Sequence, residues 1–157
     1  MVFSPQKPRK FTQMTQKHEN DISYLVRKAA YTIHVALGPG LLESVYETLL
    51  CHELRKLGLN VQTQVPLPVV YDGLKLENGF RMDLLVEHKV VVELKSVEVL
   101  LEVHHMQLLT YLKLSGYKLG LLINFNVPYI KNGIFRKVNG LEEHSASSAQ
   151  PSAPSAG

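Results

Sequence analysis

The sequence predicts a mixed α/β fold, a central mixed sheet with helices on both of its faces. Three observations predict it. Apolar residues recur at helical spacing from Ile22 to Leu37 and again from Leu42 to Leu57. Strand-like runs follow at Val61–Tyr71, Phe80–Val86 and Val90–Leu94. A third helical stretch and a further apolar strand come next, and the central strands are too continuously apolar to leave a face in water. The order is helix, three strands, helix, strand. With 157 residues the chain is long enough to bury a substantial core in one domain.

Each element has a local reason. Residues 1–18 are polar, proline-bearing and aperiodic, and read as a disordered arm before a single domain over 19–140. From Asp21 the positions Ile22, Leu25, Val26, Ala29, Ile33 and Leu37 line one helical face. "GPG" (Gly38 to Gly40) ends that helix and opens the next, from about Leu41 to Leu57. Leu42, Tyr46, Leu49, Leu50 and Leu57 form its stripe, Cys51 points off it, and Gly58 suits a C-cap. Glu53 projects into the stripe and calls for an Arg, a Lys or a backbone donor. Pro66 and Pro68 mark the first strand as an edge or a bulge, and "YDG" is a turn. Leu101–Ser115 is the third helix, ended by Gly116. Lys118–Asn124 is a short apolar strand and Ile134–Val138 one more. Residues 141–157 are a low-complexity tail.

Composition excludes several classes. No apolar run is long enough to cross a bilayer, and the N-terminus lacks a signal-peptide core, so no membrane partner is expected. Cys51 is alone, which removes a disulfide framework and a cysteine-rich zinc site and favours a reducing cytoplasm. No glycine-rich phosphate loop appears. The net charge of +3 is unevenly spread: Lys7, Arg9, Lys10 and Lys17 precede the first acid, Glu19. The remaining chain is close to neutral. The basic arm either holds phosphates by counterion release or is a solvated tail.

The hairpin "GFRMDLLVEHKVVVELKS" (Gly79 to Ser96) carries charge where a buried sheet should have none. Asp83 interrupts one run, and Glu93 and Lys95 the other. A carboxylate buried in a strand costs several kcal/mol unless it is compensated. Lys95 pairing with Glu93 or Asp83 is one solution; Asp83 and Glu93 jointly holding a divalent cation, with Lys95 beside it, is the other. Register separates the cases. A loop centred on His88 sets Asp83 opposite Glu93, whereas a two-residue loop pairs Asp83 with Val92 unless a bulge restores the parity. Glu93 and Lys95 share a face either way.

In this order, Asp83, then Glu93-x-Lys95 on the next strand, then Gln107-x-x-x-Tyr111 on the next helix resemble the PD-(D/E)XK nuclease superfamily. "GPGLLESVY" (Gly38 to Tyr46) is similar to the motif of GxxExxY proteins, with Gly40, Glu43 and Tyr46 at the named positions. "QVPLPVVYDG", "MDLLVEHKVVVELK", "QLLTYLKLSG" and "GLLINFN" match that family's pattern as well, so the resemblance runs from Asp21 to Val138. It implies an αβββαβ restriction-endonuclease-like core. It further implies a Mg²⁺- or Mn²⁺-dependent nuclease acting on DNA or RNA, with Asp83 and Glu93 as metal ligands. Lys95 orients water and steadies charge on the phosphate. The alternative is a catalytically silent module that keeps the fold and binds nucleic acid or a protein partner.

Glu43 has two readings. With Gly40 as N-cap it sits at the third helical position and serves the backbone amides; by resemblance it completes the acidic set. Tyr46 reads as core packing with its hydroxyl turned toward polar neighbours. Gln107 is a candidate for holding the carboxylates or the phosphate, Tyr111 for the same stripe or the core. His104 precedes them, but His104 and His105 diverge by about 100° on a helix and do not share a metal readily. His34 reads as a satisfied structural histidine. The strand near Pro66 and the loop "FNVPYI" are expected partner surfaces, for a homodimer among others.

Overall fold

Glu19 and Asp21 favour the N-terminus of helix α1 (Glu19–Leu37), and His18 caps it by accepting a hydrogen bond from the Asn20 amide at 3.0 Å. A computed structural model describes residues 17–142. The basic arm and the tail lie outside the described residues, apart from Lys17, His18, Leu141 and Glu142. Ile22, Val26, Ala29 and Ile33 are buried as their spacing requires. Gly38, at φ 70, turns the chain out of the helix.

Helix α2 (Glu43–Lys56) starts later than expected. Its N-cap is Leu42, which makes no side-chain capping bond, so Glu43 opens the helix rather than sitting at its third position. Gly40 at φ 99 keeps the chain out of the helix, and the Tyr46 hydroxyl takes the Leu41 amide at 3.2 Å. The buried stripe is Tyr46, Leu50, Cys51 and Leu54; Leu42 is exposed, and Cys51 faces the core, against expectation. Burial raises the Cys51 pKa, which keeps the thiol protonated and inert. Glu53 meets Lys56 at 3.4 Å.

Strands β1 (Val61–Tyr71) and β2 (Leu74–Val86) form a long hairpin closed by Asp72 and Gly73, at φ 49 and 76. Left-handed residues at both turn positions match strand twist, so pairing begins at once and β2 starts six residues before the expected Phe80. The strand with Pro66 and Pro68 is an edge strand, and its register slips between Leu67 and Val69. β3 (Val90–Lys95) follows antiparallel. Helix α3 (Glu102–Ser115) then crosses over to β4 (Leu119–Asn124), which lies parallel to β3, as such a connection permits. A 3₁₀ turn (Ile130–Gly133) leads to β5 (Ile134–Val138), antiparallel to β4.

The sheet order is β1-β2-β3-β4-β5. α1 and α2 cover one face, over Leu84, Val86, Val90, Val92, Leu94, Leu121 and Ile123. α3 covers the other through Leu108, Tyr111 and Leu112, over Leu85, Val91 and Leu122. Apolar side chains on both faces explain why β4 is buried along its whole length.

Candidate active site

A change of facing in two strands builds the site. Leu84 and Val86 lie under α1 and α2, yet Met82 and Phe80, on the same parity, lie against α3. β1 switches likewise: Val61 belongs to the α1–α2 side, Val65 and Leu67 to the α3 side. The switch falls at Gln64 and Asp83. Thr63 pairs with Leu84 and Val65 with Met82, so these two residues face each other without entering the ladder. Gln64 stands at φ 51, a left-handed conformation that costs a non-glycine residue about 1–2 kcal/mol. Strain of this kind persists only where its surroundings hold it.

Across the hairpin the loop is Glu87-His88-Lys89, the odd length that sets Asp83 opposite Glu93. Regular pairing nevertheless stops at Leu84–Val92. Beyond it the carboxylates replace the ladder: the Asp83 amide donates to Glu93 Oε1 at 3.0 Å, and the Leu94 amide to Asp83 Oδ2 at 2.9 Å. Each acid thus has one oxygen on a backbone donor. Gln64 Nε2 approaches Asp83 Oδ1 at 3.4 Å.

The dyad is electrostatically costly. Burial, and then the neighbouring Asp83 charge, push Glu93 up to about 9. The Asp83 amide bond and Lys95 only partly offset the rise. Among the described residues Lys95 makes no ion pair with either acid. The sheet-edge ion pair is therefore not the arrangement found.

The donor set fits a hard cation and not a closed zinc site. Among the described residues no group of three or more His, Cys, Asp or Glu is arranged to hold a metal. Zinc sites need three or four such ligands, whereas Mg²⁺ is commonly held by one or two carboxylates, with waters and substrate phosphates completing the shell. Asp83 and Glu93 supply that pair, anchored by backbone amides.

The start of α2 forms a second wall. Glu43, half-buried, has its pKa raised by burial, lowered by Lys95, and raised again by Asp83 and Glu47. It makes no capping bond and lies within the field of the Asp83–Lys95 cluster. One turn on, Glu47 accepts hydrogen bonds from Gln64 Nε2 at 3.1 and 3.0 Å, so Gln64 bridges Glu47 to Asp83. Tyr46 is fully buried and stacked on Phe125 at 4.2 Å; its hydroxyl donates to Gly38 O at 2.7 Å. It closes the Gly38–Leu41 turn rather than facing the acids. Ser96 Oγ donates to Leu41 O at 2.7 Å and ties that turn to the end of β3.

Helix α3 supplies the third wall. Lys95, His104, Gln107 and Phe80 line a cleft of about 560 Å³. Gln107 thus shares a space with Lys95. Tyr111 is buried against Phe80, and burial with the Glu93 and Asp83 charges pushes it up to about 12. His104 accepts from the Leu101 amide at 3.1 Å; its pKa is lowered by burial and by Lys95 and His105. His105 packs edge-on to Phe135. His34 meets the Val127 carbonyl at 2.8 Å, far from any ligand set.

Three residues escaped the sequence reading. Gln64 and Glu47 meet across elements, and no periodicity announces that contact. Asn124, buried at the end of β4 beside Lys95, clamps Val97 through its amide at 3.1 Å and carbonyl at 2.9 Å. Its signal was available: a polar side chain ending the wholly apolar run "GLLIN" needs partners.

The sequence profile of the PD-(D/E)XK nuclease superfamily matches residues 20–137. No curated protein and no solved structure shows a significant match to the chain.

Proposed function

Because the chain belongs to the PD-(D/E)XK nuclease superfamily, we propose that it is a divalent-metal-dependent nuclease hydrolysing phosphodiester bonds of DNA or RNA. The observation that carries this reading is the Asp83–Glu93 dyad, held by backbone amides and, among the described residues, without an ion pair, next to Lys95, which lines a cleft against α3. Asp83 and Glu93 would hold Mg²⁺ or Mn²⁺. Such an ion acidifies its bound water and neutralises phosphate oxygens. To hold such an ion Glu93 would have to be deprotonated, and the backbone amides of Asp83 and Leu94 fix one oxygen of each carboxylate. The Lys95 ammonium steadies charge gathering on the phosphate, Gln107 donates to its oxygens, and Glu43 completes the acidic wall.

The finer likeness to GxxExxY proteins divides the labour in the motif. Gly40 adopts φ 99, Tyr46 locks the turn, and Glu43 is delivered toward Lys95. A cytoplasmic setting is proposed on the solitary, buried Cys51. The second reading is a silent nucleic-acid or protein-binding module: burial and the Asp83 charge raise the Glu93 pKa, so a proton could stand where a metal would.

Incubation with single-stranded, duplex and structured nucleic acids plus Mg²⁺ or Mn²⁺ separates the readings. Cleavage is expected from the wild type and not from Asp83→Asn or Lys95→Ala. Cleavage that persists in both variants overturns the assignment of the site. Binding without cleavage under every metal condition favours the module.

A further inference from the structure

A groove runs along the outer face of α1, away from the dyad. Two adjoining depressions that share Tyr31, Ile130 and Lys131 make it up; Ile134 lies in one, and Pro128 and Tyr129, of the loop "FNVPYI", line the other. Tyr24, Tyr31 and Tyr129 stand on it 66, 60 and 68 % exposed. Arg27, Lys28 and Lys131 alternate with them, and none makes an ion pair among the described residues. Among the described residues no carboxylate lines it.

That distribution is unusual for this chain. Beyond its first 18 residues the sequence holds slightly more acids than bases, so a groove whose charged lining is only cationic is a local concentration. Tyr24, Lys28, Tyr31 and Val35 recur at helical spacing on one stripe, spanning about 16 Å at 1.5 Å per residue. Exposed aromatic faces interleaved with free cations suit a flexible polyanion whose bases are unpaired: rings stack on bases, and ammonium groups follow the phosphates. A duplex keeps its base faces stacked inside and could use only the charges.

The groove also has a direction. One end is lined by Gly38 and Pro39, the turn that Tyr46 and Ser96 tie to the start of α2 and the end of β3. The groove thus ends at the loop that leads into α2, whose first residue is Glu43.

We propose that the α1 groove is a binding track for single-stranded nucleic acid, with Tyr24, Tyr31 and Tyr129 as stacking platforms and Arg27, Lys28 and Lys131 as phosphate contacts. That the bound strand is the one to be cut rests on the nuclease reading; the binding itself does not.

The test uses the full chain carrying Asp83→Asn, in EDTA, with a fluorescent oligothymidylate and a duplex of equal length. Anisotropy should show tighter binding to the single strand. Tyr31→Ala with Tyr129→Ala should weaken it at least tenfold, in line with the cost of losing a stacked base. Lys131→Gln should lower the slope of log K against log salt by about one. These side chains are exposed, so unchanged melting midpoints will verify the fold of each variant. Unchanged affinity in the tyrosine pair, or preference for duplex, overturns the track. So does a dimer in light scattering that Tyr31→Ala dissociates, which would assign the face to a second copy of the chain. Binding that follows these rules in a protein that never cleaves sinks the nuclease reading and leaves the track. Single-strand cleavage by the active chain that ignores the groove variants does the reverse.

Discussion

Glu93 makes the clearest case at the scale of single residues. Its folded-state pKa, about 9, lies above the ordinary 4.5, so the metal-free folded state holds a proton that the unfolded chain releases between those values. The stability it contributes is intact below pH 4.5 and is lost as pH climbs toward 9. Glu93→Gln, an isostere of the protonated form, should remove this slope; melts in EDTA at pH 5, 7 and 9 will measure the difference between the two proteins. Metal must displace the same proton. Calorimetry at pH 7 in buffers of different ionisation enthalpy should therefore report proton release on Mn²⁺ uptake, absent in Glu93→Gln. Lys95 makes the converse case. Breaking a buried ion pair costs about 3–5 kcal/mol, but Lys95 has no such partner among the described residues. Lys95→Ala should leave the melting midpoint nearly unchanged while lowering cleavage by about 10²-fold or more.

Elements bring these residues together. The strands Phe80–Val86 and Val90–Leu94 were readable from the sequence as apolar runs interrupted by charge, and an odd loop was one of two registers it allowed. The facing switch at Gln64 and Asp83 was not readable, because a strand's local pattern does not say where its partner will twist. Gln64 offers a direct test. Alanine would lose its bonds to Glu47 and Asp83 and keep the strained φ of 51; glycine would lose the bonds and relieve the strain. Gln64→Gly should therefore be more stable than Gln64→Ala by about 1 kcal/mol, the opposite of the usual order in strands. Denaturant titrations will read the sign. Both should impair cleavage, since Glu47 and Asp83 lose their common donor. The N-cap of α2 was misplaced for a related reason: Gly40 is a plausible cap by residue type, but the Tyr46 hydroxyl, reaching back to Leu41, decides where the helix begins.

The whole molecule sets two apolar layers around one sheet and leaves the dyad at its kinked seam. Repulsion at that seam is relieved by a proton or by a cation, so folding and loading are linked. Mn²⁺ at 100 times its dissociation constant should add about 2.7 kcal/mol. For a domain of this size that raises the melting midpoint by several degrees. Asp83→Asn should abolish the shift.

The sequence alone determined the order of elements, the opposition of Asp83 to Glu93 as one of two registers, and the charge that interrupts the central hairpin. Those properties are written in local periodicity and in the expense of burying charge, which each segment carries by itself. Only the tertiary structure decided that backbone amides, rather than a lysine, hold the two acids side by side and that Gln64 joins Glu47 to Asp83. It alone also lined tyrosines and cations along α1. Each of these is a meeting of residues far apart in the chain, and distance between side chains is a property of the packed molecule.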